Sequence, residues 1–284
     1  MPSERFCRAA WWLCWRSSCV SRLGLGGLLC VLTSWAVAQD EGFAWIADGR
    51  PNQEAHQAVS ILLGAAADGL EPDDYGAGGL EQALAEAEAE ALDAAGQRAL
   101  EAALTRAMTR YLADLHGGRV DLRVIQPGQR FERDNGFAPA EVLQAALAAG
   151  RLPEAVREAA PAQPDYPGLR RALGWYRELA EDPLRGGLWQ TPLAPLPGRK
   201  LEPGQAWAGV GDLARRLVAL GDLPATARLA SRYEGEVVAG LRAFQARHGL
   251  AADGVIGRET VAQLEVSPAH RMRQIVLGLE RLRW

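Results

Sequence analysis

One stretch near the carboxyl end, residues 233–264, constrains the fold of this chain more than any other. Val237, Leu241 and Phe244 recur at the spacing of one helix face, which predicts a short amphipathic helix. Gly249 follows at the position where a glycine commonly ends a helix. The stretch therefore begins as a helix that packs one face against a core and then stops abruptly.

A turn and a second helix complete the stretch. Asp253-Gly254 is a pair typical of a tight turn, and Gly257 precedes a second short helix whose Val261 and Leu264 are expected to point inward. If Gly257 holds a conformation that β-branched residues reach only at a cost, Gly257→Val should unfold this region. The whole pattern has the form FQxxxGLxxDGxxGxxT. Backbone geometry alone accounts for its glycines. The spacing therefore predicts a small helical bundle and gives no indication of a ligand.

This pattern resembles the peptidoglycan-binding module carried by many cell-wall hydrolases and transpeptidases. The resemblance implies a three-helix bundle and a ligand that is part of the cell wall. It also implies a set of candidate binding residues, which are Gln245, His248, Asp253, Gly254, Gly257, Arg258 and Thr260.

The first 38 residues have the composition of an export signal. Four arginines precede an apolar run from Leu23 to Ala36, and Ala36-Val37-Ala38 has the form of a cleavage site. The run is shorter than the ~20 residues that span a membrane. We therefore expect cleavage after Ala38 and a location in the periplasm or cell envelope. The alternative is an uncleaved signal that anchors the chain in the membrane.

All four cysteines lie in this predicted signal, at Cys7, Cys14, Cys19 and Cys30. Residues 39–284 therefore contain no thiol and no disulfide, which suits an oxidising compartment. Removing residues 1–38 takes away one glutamate and four arginines, so the formal net charge goes from −4 to −4 − 3 = −7. Such acidity argues against a general nucleic-acid binder.

The chain before residue 224 is expected to be mostly helical, because alanine is abundant and strand-forming residues are sparse. Apolar spacing predicts helices over residues 53–67, 80–95, 97–115, 139–149, 153–160, 166–176 and 210–220, with a break near Gly96. The segment 182–204 holds five prolines and four glycines and is predicted to be a loop, with Trp189 fixing it to the bundle. A final helix over 268–284 carries several arginines, Arg283 among them. They are expected on a solvated face, and the alternative is that they contact an anionic wall polymer or lipid.

The order of these pieces resembles the non-catalytic part of the large L,D-transpeptidases, enzymes that cross-link the stem peptides of peptidoglycan. The matching segments are Asp68-Gly69-Leu70-x-Pro72-x-x-Tyr75, Tyr111-x-x-Asp114-Leu115-x-x-Gly118-Arg119, Tyr166-x-x-Leu169-x-x-x-Leu173-x-x-Tyr176, Val210-x-x-Leu213-x-x-Arg216-Leu217, Gly221-Asp222-Leu223, and Arg273-Gln274-Ile275 with Leu279-Glu280-Arg281-x-Arg283-Trp284. Two positions depart from the family: Leu122 replaces a usual proline and Ala214 a common arginine. The resemblance implies a mainly α fold with a signal at 1–38, a helical scaffold domain at 39–224, a peptidoglycan-binding module at 225–266 and a linker helix at 267–284 toward a catalytic domain.

The chemistry of that family depends on a cysteine in an SHGC motif, and this motif does not occur here. A thiolate is needed because it attacks the stem-peptide carbonyl and leaves as a thioester. We therefore expect the binding and scaffold portion alone, with no catalytic residue, no cofactor and no metal; each histidine stands alone, without an HxxxH pair. Peptidoglycan is the expected partner, nucleic acid is not, and a membrane is expected only through an uncleaved signal. Two alternatives stay open: a free-standing helical adaptor for a protein partner, and an enzyme that uses carboxylates such as Asp73-Asp74.

Overall fold

A computed structural model describes residues 45–120, 136–228 and 232–284, and in these ranges the chain is mainly helical. The prediction of a mainly α fold is thus confirmed. Two strands of two residues each, β1 (Ile46–Ala47) and β2 (Arg50–Pro51), pair with each other antiparallel in these ranges. The predicted export signal and Leu122 lie outside the described residues.

The described residues of the amino-terminal part form six helices. They are α1 (Gln53–Leu63), α2 (Ala77–Ala89), α3 (Ala94–Gly117), α4 (Pro139–Ala148), α5 (Leu152–Ala159) and α6 (Tyr166–Glu181). Short 3₁₀ turns cover Gly64–Asp68 and Pro72–Tyr75. Asn52 begins α1 because its side-chain oxygen accepts a hydrogen bond from the Ala55 amide at 3.0 Å.

The predicted helix break near Gly96 is wrong. The gap lies earlier, between Ala89 and Ala94, and Gly96 belongs to the first turn of α3. The reason is a helix cap: the Asp93 side chain accepts a hydrogen bond from the Gly96 amide at 2.7 Å. An aspartate that satisfies a free amide fixes the helix start more firmly than a glycine disrupts it.

Five further helices form the carboxyl-terminal part of the described chain. They are α7 (Pro183–Gly186), α8 (Val210–Ala219), α9 (Glu236–Arg247), α10 (Arg258–Leu264) and α11 (Pro268–Leu282). The predicted loop at 182–204 therefore contains α7 and a 3₁₀ turn at Gly187–Trp189. Its far end is fixed by a two-way backbone bridge between Leu201 and Ile256.

Two hydrophobic cores share the helix pair α6 and α11. Tyr166 and Leu173 of α6 belong to the first core, whereas Tyr176 and Leu179 of the same helix belong to the second. Leu279 of α11 lies in the first core. The predicted linker helix thus packs along α6, and its role as a linker stays a prediction.

The last turn of α11 corrects the expectation of a solvated arginine face. The Arg283 side chain is 1% exposed and forms an ion pair with Glu280, whose Oε2 lies 3.2 Å from Arg283 Nη1. It also donates to the Tyr166 hydroxyl at 3.0 Å and to the backbone carbonyl of Asp68. A buried charge must be paired in this way because its isolated burial is costly.

Within the described ranges no helix combines the length and the apolar character needed to cross a bilayer.

Candidate ligand-binding groove of the carboxyl-terminal helices

A shallow groove of about 330 Å³ opens between the end of α9, the turn that follows it and the start of α10. Its lining consists of Gln245, Leu250, Ala251, Asp253, Val255, Gly257, Arg258, Glu259 and Thr260. Five of the seven residues predicted to bind the ligand are in this set. The structure therefore brings most of the sequence-predicted site together in one depression.

Gln245 organises the groove from beneath. Its side chain is buried, with 1% of the residue exposed, because its neighbours Leu241 and Phe244 draw α9 into the second core. Its Nε2 donates to the Val255 carbonyl at 3.0 Å and to Asp253 Oδ1 at 3.3 Å. A primary amide suits this place because it donates and accepts at once.

The Asp253-Gly254 turn closes around that amide. Gln245 Oε1 accepts from the Gly254 amide at 2.9 Å, and Asp253 Oδ1 accepts from the Val255 amide at 2.8 Å. Gly254 has φ +77°, and a Cβ at this position would lie 2.9 Å from Val238 Cγ1. Glycine is therefore required here by both backbone conformation and space, and Gly254 supports the groove without lining it.

The backbone of Gly257 does not have the strained conformation that was expected of it. Its φ of −102° and ψ of −175° describe ordinary extended chain. A Cβ at Gly257 would meet nothing within 4 Å. The predicted strain is absent because the residue precedes the first turn of α10, where extended backbone is common to all residue types.

Charged side chains of both signs stand at the edge of the groove. Arg258 and Glu259, neighbours in the first turn of α10, are both exposed and line the depression. Within the described part of the chain, neither makes an ion pair or a side-chain hydrogen bond. Glu259 is not among the seven predicted residues, so its place in the lining beside Arg258 is a finding of the structure. Two unpaired opposite charges in one depression can bind a ligand that carries both an anion and a cation.

His248, the remaining predicted residue, lies outside the groove. Its ring stacks on Phe244 with centroids 4.0 Å apart, and its Nδ1 donates to the Phe244 carbonyl at 3.0 Å. Burial, aided by the nearby charges of Arg247 and Arg271, lowers the pKa of His248 below 6.5. The imidazole is therefore neutral at neutral pH and serves to pack the end of α9.

Arg216 of α8 is a supporting residue that the sequence reasoning did not assign. Its side chain is 1% exposed, and it donates to the backbone carbonyls of Leu264 at 3.0 Å and Thr191 at 2.6 Å. Trp189 reinforces the same junction, since its Nε1 donates to the Leu264 carbonyl at 2.9 Å. The signal was present in the sequence, because Arg216 falls three residues after Leu213 on the apolar face of α8.

Asp74, half of the Asp73-Asp74 pair, is held in an ion pair with Arg119 at 2.7 Å. The described ranges contain no group of three or more histidine, cysteine, aspartate or glutamate side chains placed to hold a metal ion.

Comparison with known protein families agrees with this geometry. A family model described as "Scaffold domain" matches residues 37–173, and one described as "Putative peptidoglycan binding domain" matches residues 208–264. The second match contains the whole groove and begins at α8, earlier in the chain than residue 225, where the module was predicted to begin. That predicted boundary stays a prediction. A search of curated proteins gave no match to this chain.

Proposed function

Because this chain carries a scaffold domain followed by a peptidoglycan-binding domain, we propose that it recognises peptidoglycan as the non-catalytic part of a cell-wall L,D-transpeptidase. Peptidoglycan lies in the cell envelope, so the protein would act there. The seven predicted residues have different roles in this proposal. Arg258 and Asp253 face the ligand, together with Glu259. The buried Thr260 shapes the turn between the helices with Gln245, Gly254 and Gly257. His248 packs the end of α9.

One observation carries the proposal: the residues chosen from the sequence pattern converge on one groove inside the matched domain. Gln245 and Thr260, the buried polar members of the pattern, belong to the lining of this groove, so the motif that holds the turn also builds the depression. Here Arg258 and Glu259 are exposed, unpaired in the described part of the chain and turned to the same depression. Unpaired charges at a concave surface are typical of binding sites.

The link to a transpeptidase rests on the resemblance of the amino-terminal motifs, and their residues support the scaffold in this structure. The Tyr75 hydroxyl donates to Asp114 Oδ2 at 3.0 Å, and Arg119 pairs with Asp74. Asp68, from the first motif, accepts a hydrogen bond from the Tyr166 hydroxyl at 2.9 Å. Motif residues that are distant in sequence therefore meet as partners, which is what a shared scaffold fold requires.

Residues 39–284 would bind but not cross-link. Cross-linking by this family passes through a thioester, and these residues contain no cysteine. Carboxylates cannot take over this step easily, because the acyl group must be held until the acceptor amine arrives.

The test is co-sedimentation of the exported protein with purified sacculi, followed by intact-mass analysis after incubation with a carbapenem. We expect the protein in the sacculus pellet, without a covalent drug adduct. Arg258→Ala should reduce the pelleted fraction, while Arg281→Ala, an exposed arginine on α11 away from the groove, should not. A protein that stays in the supernatant would favour the helical adaptor with a protein partner. A carbapenem adduct would overturn the non-catalytic assignment.

A further inference from the structure

Peptidoglycan consists of glycan strands and of short stem peptides attached to them, and the lining of the groove is suited to one of these two components. We infer that the groove binds the stem peptide, through a free carboxylate and a free amine, and not the glycan strand. The inference rests on the function proposed above and specifies its ligand. It follows from the charges, the apolar wall and the size of the groove.

The charges fit a ligand with two ionic groups. Arg258 offers a planar guanidinium, which binds carboxylates through two parallel hydrogen bonds. Glu259 is its neighbour in the chain and offers a carboxylate for an ammonium group. Asp253 adds a second acid, whose Oδ1 is engaged by the turn while Oδ2 makes no hydrogen bond within the described residues. Uncross-linked stem peptides carry free carboxylates and an amine on the diamino acid, whereas the glycan backbone carries no free amine and its lactyl carboxylates are bound to the stems as amides.

The apolar wall fits small side chains. Leu250, Ala251 and Val255 are apolar members of the lining. This surface offers contact to methyl groups, and stem peptides are rich in alanine. Burial of a methyl group against such a wall is favourable because apolar surface leaves water.

The same lining lacks the usual means of holding sugars. Sugar rings are commonly bound by the flat face of an aromatic side chain together with hydrogen bonds to their hydroxyl groups. No tryptophan, tyrosine or phenylalanine lines the groove among the described residues. Thr260 carries the one hydroxyl of this lining, and it is buried beside the Val255 carbonyl at 3.5 Å.

The size of the groove also favours a short segment. Its volume of about 330 Å³ is near the lower end of the range for small-molecule sites, roughly 300–1,000 Å³. One or two residues of a peptide fill such a space, while an extended polysaccharide would contact mainly the surface beyond it.

Calorimetric titration of the exported protein tests the inference with four probes. They are a soluble lactoyl–alanine–γ-glutamate–diamino acid stem peptide, the same peptide with its carboxylates amidated, the same peptide with its side-chain amine acetylated, and peptide-free glycan chains with their lactyl carboxylates amidated. We expect binding of the unmodified peptide, weaker binding of both blocked peptides and no binding of the glycan. Arg258→Met should weaken the unmodified peptide about tenfold, as expected for the loss of a charge-assisted pair.

Pairing each variant with each blocked peptide makes the result specific. Arg258→Met should cause no further loss with the amidated peptide, and Glu259→Gln none with the acetylated one, because the partner group is already gone. Arg281→Met serves as the matched control and should bind like the unchanged protein, and thermal melts verify that all variants fold. The inference would be overturned if the glycan bound as well as the peptide, or if Arg258→Met had no effect on peptide binding. In either case, binding to sacculi would leave the proposed function intact. Loss of binding to sacculi as well as to every probe would overturn the proposed function itself.

Discussion

Buried polar side chains hold both the scaffold and the groove, but the two regions use them differently. In the scaffold the buried groups are charged and join distant segments: Tyr166 bonds Asp68 across 98 positions of sequence, and Arg283 reaches the Asp68 carbonyl across 215. Around the groove the central group is the neutral amide of Gln245, whose side-chain partners lie within 15 positions. The scaffold is therefore held by long-range ionic contacts, and the groove by a local motif.

The Tyr166 hydroxyl of the scaffold stays protonated among these buried charged groups. Burial and the nearby charge of Asp68 raise the pKa of Tyr166 to about 12. The hydroxyl therefore remains a donor to Asp68 throughout the physiological range, and it accepts from Arg283 at the same time. One phenol thus connects an aspartate near α1 to the last turn of α11.

The largest loss of stability is expected from Glu280→Ala. Glu280 Oε1 accepts from the Arg119 amide at 2.7 Å and the Val120 amide at 2.9 Å, and Oε2 pairs with Arg283. The change leaves a buried guanidinium without its carboxylate, which costs about 3–5 kcal/mol of unfolding free energy. Urea unfolding gives the value. Glu259→Ala, which removes an exposed and unpaired acid, is the control and should change stability by less than about 0.5 kcal/mol.

A smaller loss is expected from Arg216→Met in the other region. This change leaves the carbonyls of Leu188, Thr191 and Leu264 without their shared donor, at a cost of about 1–3 kcal/mol. Hydrogen exchange should accelerate over residues 187–191 before it does elsewhere. Arg215→Met removes an exposed neighbour on α8 and serves as the matched control. Equal stability for the two variants would mean that the buried arginine does not hold the 187–191 turn.

Two glycines of the groove motif make a sharper pair. Gly254→Ala places a Cβ at φ +77° and 2.9 Å from Val238 Cγ1, so we expect a loss of about 1–3 kcal/mol in thermal or urea unfolding. Gly257→Ala introduces no such strain or contact and should cost at most about 1 kcal/mol, the difference between glycine and alanine before a helix. Equal losses at both positions would contradict the assignment of turn strain to Gly254 alone.

The same contrast explains how much could be predicted from the sequence. The helices, the DG turn and most of the groove were predictable, because apolar spacing, glycines and the motif act over short distances. The role of Arg283 was not, because its partners at Asp68 and Tyr166 are remote and a terminal arginine normally faces water. The position of His248 outside the groove was not predictable for a related reason, because the pattern fixes its place in the chain but not its stacking on Phe244.

The smallest predicted effect is a pH dependence at His248. Burial, with the charges of Arg247 and Arg271, lowers the pKa of this imidazole in the folded protein below the value of 6.5 that it has in the unfolded chain. Well above pH 6.5 the imidazole is neutral in both states and its packing against Phe244 contributes fully. As the pH falls below 6.5 the unfolded chain takes up the proton first, so stability declines until the folded pKa is passed.

His248→Phe keeps an aromatic ring beside Phe244 but cannot titrate. The melting temperature of the unchanged protein should therefore fall relative to that of the variant between pH 7.5 and 5, since all other titrating groups are common to both. A constant difference across this range would show that the imidazole has the same proton affinity in both states.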